Sequence, residues 1–418
     1  MIYDKFYNGI QRSKNEQNGF DNLVNLDVHT SIGEAQCQLE LISESTTPNE
    51  PCIQAEDTAG NIYFFSTTSG KTWKRAVADA AYTLVNTNAN GAHAGCIYFN
   101  GYIYYATSTK LGRFNLVATW ADSFATFTNG SIYKPMCELN LSLFIGDGKY
   151  VASVDNTNSF SDNALDILPQ YNITALSSSG YDLLVWTTIG TKVKSCKVFL
   201  WDTYSPSWTV EDDIPENGVN CVIPADGITF VQCGDDGWLY YWAGSSAKRF
   251  FKLKDVDTVQ SDQNSTVHSG RPLFATGTKI FSIHRESDSY PYAVVQEYTA
   301  TQGTIKSIRS TGGQLLVSNG TNIDKIGTSY ATATIDTPEA DTGDNIFVDY
   351  HSIGSGGTVG ISTNIDNGGY SSQTTITDTI KKKVYFDGGL GQVNFFQGRI
   401  TLTPSGSNNI VIKRIKTN

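Results

Sequence analysis

Charge is scarce in this chain. Only 17% of its 418 residues are Asp, Glu, Lys or Arg, and the 30 basic ones are outnumbered by 41 acidic ones. A formal charge of −11 argues against general or tight sequence-specific nucleic-acid binding, because affinity for phosphate backbones comes from Lys and Arg. The dense basic clusters, Lys381-Lys382-Lys383 and Lys413-Arg414, are short and read as solvated strand edges that discourage edge pairing. Long apolar runs are also missing. No stretch approaches the roughly 18 residues of a membrane span, and Met1-Ile2-Tyr3-Asp4-Lys5-Phe6 is not followed by an apolar signal core. Neither membrane insertion nor signal-directed export is therefore expected. The seven cysteines, Cys37, Cys52, Cys96, Cys137, Cys196, Cys221 and Cys233, are odd in number and form no CxxC pair. Most lie in or beside apolar strands, so they read as reduced core thiols, a Cys221–Cys233 bridge being an alternative that the spacing does not support. The five histidines, His29, His93, His268, His284 and His351, are far apart and suggest no zinc site. No phosphate-binding glycine loop is present, so nucleotide chemistry is not expected. Persistent helical periodicity is absent too, which predicts an almost entirely β chain.

What the chain does have is glycine, 38 residues of it, and aromatics, with 7 Trp, 22 Tyr and 20 Phe. Seven times an apolar, β-prone run meets a turn near Gly60, Gly101, Gly148, Gly190, Gly237, Gly277 or Gly320 and is followed by a second run. The spacing of roughly 40 to 47 residues is that of propeller blades. In the clearest copy, Cys96-Ile97-Tyr98-Phe99 and Tyr102-Ile103-Tyr104-Tyr105 flank Asn100-Gly101, a pair suited to the positive φ angles of a type I′ turn. The alternating run Ala35 to Ile42 suits a strand that completes the last blade and removes the open edge. Two loops rich in Asp, Asn and Ser, about 155–170 and 252–268, are candidate contact points. Beyond residue 330 glycines crowd and short alternating runs appear, ending in Phe395 to Thr403 and Ile410 to Ile415. The expected fold is all-β, a seven-bladed β-propeller followed by a small β-sandwich or jelly roll. The expected division is an extended N-terminal arm at 1–25, the propeller at 26–330 and the sandwich at 331–418.

No catalytic constellation emerges. Ser66-Thr67-Thr68-Ser69-Gly70-Lys71-Thr72-Trp73 is similar to the Asp box of sialidases and other propellers, with Thr68 where Asp belongs. An Asp box is a folding motif remote from catalysis. The scattered Arg271, Arg285 and Arg309 do not form a motif for gripping a substrate carboxylate. Glu211-Asp212-Asp213 and Asp235-Asp236 read as turn chemistry, since adjacent strand residues face opposite ways. Asp147 or Asp235 with Asp236 lacks the further oxygen ligands that calcium requires. The aromatics read as core, with any exposed members able to stack on sugars. Catalytic, cofactor-binding and metal residues are accordingly none, and no enzyme activity is expected.

Three segments resemble structural proteins of tailed bacteriophages. They are the Phe6-Tyr7-Asn8-Gly9-Ile10 arm leading to Asn25-Leu26-Asp27-Val28-His29-Thr30 and Gly33; Gly60 to Ser66 with Ser69 to Arg75; and Gln397-Gly398-Arg399-Ile400-Thr401-Leu402 before an Ile-rich strand. The layout is similar to the propeller-containing tail nozzle (tubular) proteins. That resemblance implies a noncatalytic virion component in the tail, a nozzle or hub protein supporting genome delivery and assembled in the host cytoplasm. The implied partners are copies of itself in a ring, other virion proteins and a host-surface glycan or receptor. A receptor- or glycan-binding propeller is the alternative, and a sialidase-like hydrolase a further one.

Overall fold

The computed structural model describes residues 2–3, 20, 22–28, 34–76, 81–190, 194–225, 227–253, 263–284, 292–339, 345–350, 353, 355–366, 368–377, 383–387 and 396–417. Among them every regular element is a strand. The chain divides into two compact units, residues 43–278 with 300–325, and residues 1–42 with 279–299 and 326–418.

The first unit is a β-propeller. Five antiparallel four-stranded sheets follow one another, beginning with the strands Cys52–Glu56, Gly95–Phe99, Met136–Leu139, Asn172–Ser179 and Val219–Ala225. The hairpins Ser265–His268 with Arg271–Thr276, and Ile305–Thr311 with Gln314–Asn319, continue the series. Innermost strands of neighbouring sheets hold one another through side chains. Ser265 Oγ donates to Val222 O, Ser310 N to Thr266 Oγ1 at 3.2 Å, and Gln54 Nε2 to Ser307 Oγ at 2.9 Å. The last bond joins the final position to the first and closes the circle. Closure uses only the second half of the run Ala35 to Ile42, since Ala35–Cys37 belongs to another sheet. The strand Leu39–Ser43 is the outer member of the last blade, with Ser43 Oγ on Asp324 Oδ1 at 3.0 Å and Glu44 N on Ile323 O at 2.9 Å.

The glycine repeat changes phase along the chain. Gly60 and Gly101 lie between the first and second strands of their sheets, whereas Gly148, Gly190, Gly237, Gly277 and Gly320 lie between second and third strands. The first turns of later blades include two-residue connections at 140–141, 180–181, 269–270 and 312–313. Asn100 and Gly101 have φ of 46° and 83°, and Asn140 and Leu141 have 51° and 60°, so both turns take the type I′ form. Leucine at positive φ carries a strain of roughly 1–2 kcal/mol. Leu141→Gly is therefore expected to stabilise the chain by about 0.5–1 kcal/mol after glycine's extra unfolded-state entropy, read as a higher urea midpoint; a lower midpoint would contradict this account of the turn.

Between sheets, aromatic packing does what the composition suggests. Phe65 stacks on Tyr105 at 5.4 Å, His93 meets both edge-on, and Tyr63 lies 5.6 Å from Phe114. All seven cysteines are free, six of them buried, and burial pushes the Cys37 and Cys196 thiols up to about 12.

The second unit is a two-sheet sandwich. One sheet places Ala333–Asp336 between Asn22–Val24 and Phe396–Thr403, followed by Thr358–Ile365 and Thr374–Ile376, while Val24 also pairs in parallel with Gln296. The other runs Leu26–Asp27, Ala35–Cys37, Val411–Thr417, Asn345–Tyr350, Lys383–Asp387, with Ile2–Tyr3 also on Val411–Thr417. The sheets face each other closely, since a Cβ on Gly398 would lie 2.4 Å from Ile346 Cδ1. Ile335, Val348, Ile361, Ile400 and Ile412 are buried in this unit.

This arrangement departs from the linear division into 1–25, 26–330 and 331–418. Strands at 2–3, 22–24, 26–27 and 35–37 belong with the C-terminal ones, so the sandwich is built from both ends of the chain. Pairing across more than three hundred residues leaves no local period to read. Phe6–Ile10, the polar run Arg12–Gly19, His29–Gly33 and Lys381-Lys382 lie outside the described residues. The expected loop at 155–170 is largely the strand Phe160–Asp166, because its polar residues sit on an outermost blade strand facing water.

Candidate functional site

The innermost propeller strands surround a cavity of about 630 Å³. Cys96, Met136, Leu176, Val222 and Ile308 give it apolar walls, and Glu138, Ser177, Gln263, Thr266 and Arg309 add polar groups. Gln263 crosses it. The residue precedes the strand Ser265–His268, its backbone oxygen accepts from Ile308 N at 3.0 Å, and its Nε2 donates to Cys96 O at 3.1 Å. A side chain from the sixth blade position is thus anchored on the second. The loop about 252–268 is a candidate contact point, and its described end reaches into the cavity through Gln263; residues 254–262 lie outside the described residues. Arg309 is already engaged, donating to Gln54 O at 3.2 Å and lying 3.7 Å from Glu56. Among the described residues the exposed Glu138 carboxylate has no partner.

The cavity does not assemble the arginines singled out above. Arg309 lines it, Arg271 does not, and Arg285 lies outside the described residues. Among the described residues no histidine lines it. His268 is buried with Nδ1 2.9 Å from Ser310 Oγ, where it ties the last two inner strands. His93 is buried too, which lowers its pKa to about 4 and keeps it neutral.

Elsewhere the carboxylates act as locks on the fold. Glu211 and Asp213 both reach Lys197, at 3.3 and 2.6 Å, while Asp212 accepts from Ala247 N at 2.8 Å. The three alternate in facing as expected, but they lie on the strand Val210–Ile214 rather than in a turn. Asp236 pairs with Lys194, and Glu216 holds Tyr240 and Arg249. Asp147 is occupied by the Lys134 ammonium at 2.6 Å. No group of three or more potential metal ligands occurs among the described residues.

The hairpin that is similar to an Asp box is held by a carboxylate from outside the motif. Glu50, from the preceding loop, accepts from Ser66 Oγ and Ser69 Oγ at 2.5 Å each and from Lys71 Nζ at 2.8 Å. Thr68 Oγ1 lies 3.2 Å from Ser66 Oγ. Burial raises the Glu50 pKa, but the bonds from Lys71, Ser66 and Ser69 outweigh it and leave the group at about 2. An unfolded glutamate titrates near ~4.3, so at mildly acid pH the unfolded chain binds more protons than the folded one. The contribution of Glu50 to stability is therefore complete above the unfolded value and lost as pH falls towards 2. Glu50→Gln is expected to flatten the acid limb of a stability-versus-pH curve between roughly pH 4.5 and 2; an unchanged limb would refute the assignment.

The class this geometry defines is a β-propeller with an accompanying β-sandwich. No protein-family model matches the chain, and no curated protein matches its sequence. Solved structures do resemble it. A catalytically inactive virginiamycin B lyase from Staphylococcus aureus with quinupristin is 11% identical, with a TM-score of 0.53 over 69% of this chain and 98% of that one. A streptogramin B lyase is 13% identical, with a TM-score of 0.50 over 69% and 96%. A chain of a mitotic checkpoint complex is 11% identical, with a TM-score of 0.50 over 68% and 93%. At such identities the likeness is one of fold.

Proposed function

We propose that this chain is a noncatalytic structural component of a tailed-phage virion, a tail nozzle or hub protein that assembles with copies of itself and with other virion proteins. The observation that carries the noncatalytic part is the use made of the buried carboxylates. Glu44, Asp147, Glu216 and Asp324 each bind several structural donors, which leaves them no free role in acid–base chemistry. The likeness to lyases carries no activity across, since at 11–13% identity it is one of fold. The tail assignment draws on the sequence resemblance and on the charge of −11, which suits a DNA conduit because like charge keeps the genome from adhering.

Quantitative mass spectrometry and electron microscopy of purified particles test the reading. The expected result is this chain in the tail at a copy number matching a ring. Its absence from particles, or its recovery as a secreted monomer, would overturn the proposal. The purified chain is also expected not to retard duplex DNA at micromolar concentration and physiological salt; tight binding would remove the conduit argument.

A further inference from the structure

One edge of the propeller carries three exposed apolar side chains, Leu141, Tyr181 and Tyr204, which are 70%, 84% and 83% accessible. Asn140 fastens the turns that bear them. Its Nδ2 donates to Tyr181 O at 2.8 Å and approaches Thr203 Oγ1 at 3.4 Å. Beside these turns opens a cavity of about 270 Å³ between the third and fourth sheets. Its floor is formed by the edges of two aromatic rings, Phe144 and Trp201, which are 4% and 2% exposed and pack edge to face at 5.5 Å. Its walls carry the hydroxyls of Ser142, Ser153, Thr203 and Ser205, and among the described residues no charged side chain lines it.

Ordinary strand geometry builds the site. Ser142 and Phe144 share a face of one strand, and Ser153 pairs with Phe144 across the ladder, so the pleat sets both serines beside the ring. Among the described residues neither serine hydroxyl has a partner. The opposite wall is held firmly. Asp202 Oδ1 accepts from Tyr204 N at 2.9 Å and Ser205 N at 2.7 Å, and Trp201 Nε1 donates to Ser205 O at 2.7 Å. Thr203 is kept at a φ of 69°, a conformation that β-branched residues rarely adopt and that concentrates at functional sites.

We propose that this cavity binds a neutral saccharide residue. A sugar ring offers apolar C–H faces to aromatic side chains and a rim of hydroxyls that donate and accept. The Phe144–Trp201 floor and the unpaired serines supply the complements. The absence of charge disfavours sialic acid, phosphate and sulfate esters. The volume lies just below the ~300–1,000 Å³ of common ligand pockets, which suits one ring, with Tyr181 and Tyr204 at the mouth for the next residues of a glycan. This inference stands independently of the tail assignment, because binding is read on the purified chain and location on the particle.

Saturation-transfer NMR on the full-length chain tests it, with the methyl glycosides of glucose, galactose, mannose and N-acetylglucosamine at millimolar concentration. N-acetylneuraminic acid and N-acetylphenylalanine amide serve as competing classes. At least one neutral glycoside is expected to receive saturation and the acid none. Ser153→Leu, which fills the cavity, is expected to abolish the signal, and Tyr204→Ala to weaken binding of a matching oligosaccharide by roughly tenfold. Tyr204 is exposed, so its variant remains informative if Ser153→Leu does not fold. Silence from every neutral glycoside, a signal that survives both substitutions, or preferential saturation of the amide or the acid would overturn the proposal.

Discussion

Replacing Lys134 by Met is expected to cost the propeller about 3–5 kcal/mol, the penalty of stranding a buried charge. The Lys134 and Asp147 side chains are both 0% exposed and meet at 2.6 Å. Asp147 also accepts from Asn129 N at 2.8 Å and Ser131 N at 2.9 Å, while Lys134 Nζ donates to Ser131 O at 2.6 Å and lies 4.6 Å from the centre of the Phe127 ring. Burial pulls the Lys134 pKa below the usual lysine value, against the opposing pull of Asp147. Without the ammonium the carboxylate keeps two backbone donors but loses its counter-charge. Asp147→Asn in the Lys134→Met background removes that charge and keeps an acceptor, so the double variant is expected to recover part of the loss. The measurement is urea unfolding followed by tryptophan fluorescence, arranged as a double-mutant cycle. A Lys134→Met chain within about 1 kcal/mol of the parent would show that the pair contributes only what a surface bridge does.

Glu44→Gln is expected to loosen the seam of the ring, at about 3 kcal/mol for the loss of a buried charge-assisted cluster. The Glu44 side chain is 0% exposed. It grips Arg75 through Nε at 3.1 Å and through the terminal nitrogen at 2.8 Å, accepts from the Tyr82 hydroxyl, and lies 3.4 Å from Lys325. Arg75 and Tyr82 belong to the first blade and Lys325 to the last, so one carboxylate joins the two blades that closure must unite. Burial and the Glu44 bond both raise the Tyr82 pKa, which makes the phenol a donor at any physiological pH. Hydrogen exchange provides the decisive readout. In Glu44→Gln, protection is expected to fall first in residues 43–56 and 314–325 and to persist in the third and fourth sheets. A uniform loss across all blades would mean that Glu44 contributes to stability without sealing the ring.

The parts of the fold that were legible are those governed by neighbours in the chain. Asn100-Gly101 announces its turn because two adjacent residues must both take positive φ. The run Ala35 to Ile42 alternates as a strand does, but it divides into Ala35–Cys37 in the sandwich and Leu39–Ser43 in the last blade, a division that alternation does not mark. The inner strands of the later blades were harder to see. Ser265-Thr266-Val267 lines a cavity and is short and mixed in polarity, and the first turn of the third blade uses Asn140-Leu141 in place of glycine. The glycine of that blade, Gly148, sits at the following turn instead. The candidate cavities had weaker signals still. Gln263 carries no mark of a residue that crosses a ring, although its position at the end of a long polar loop was a hint. Tyr181 and Tyr204 look like the other aromatics until their exposure is known.

From its sequence alone this protein is determined to be all-β, repetitive, acidic and closed by a strand near its N-terminus. Those properties follow from backbone angles, two-residue alternation and composition, which operate over a few residues. The tertiary structure decided that the sandwich is made from both ends of the chain, that Glu50 serves the altered Asp box, that Lys134 fills the place beside Asp147, and that Ser142, Ser153 and Trp201 share one cavity. Each of these is a contact between groups whose separation in the chain leaves no pattern, and only the folded geometry selects one partner from the many that chemistry permits.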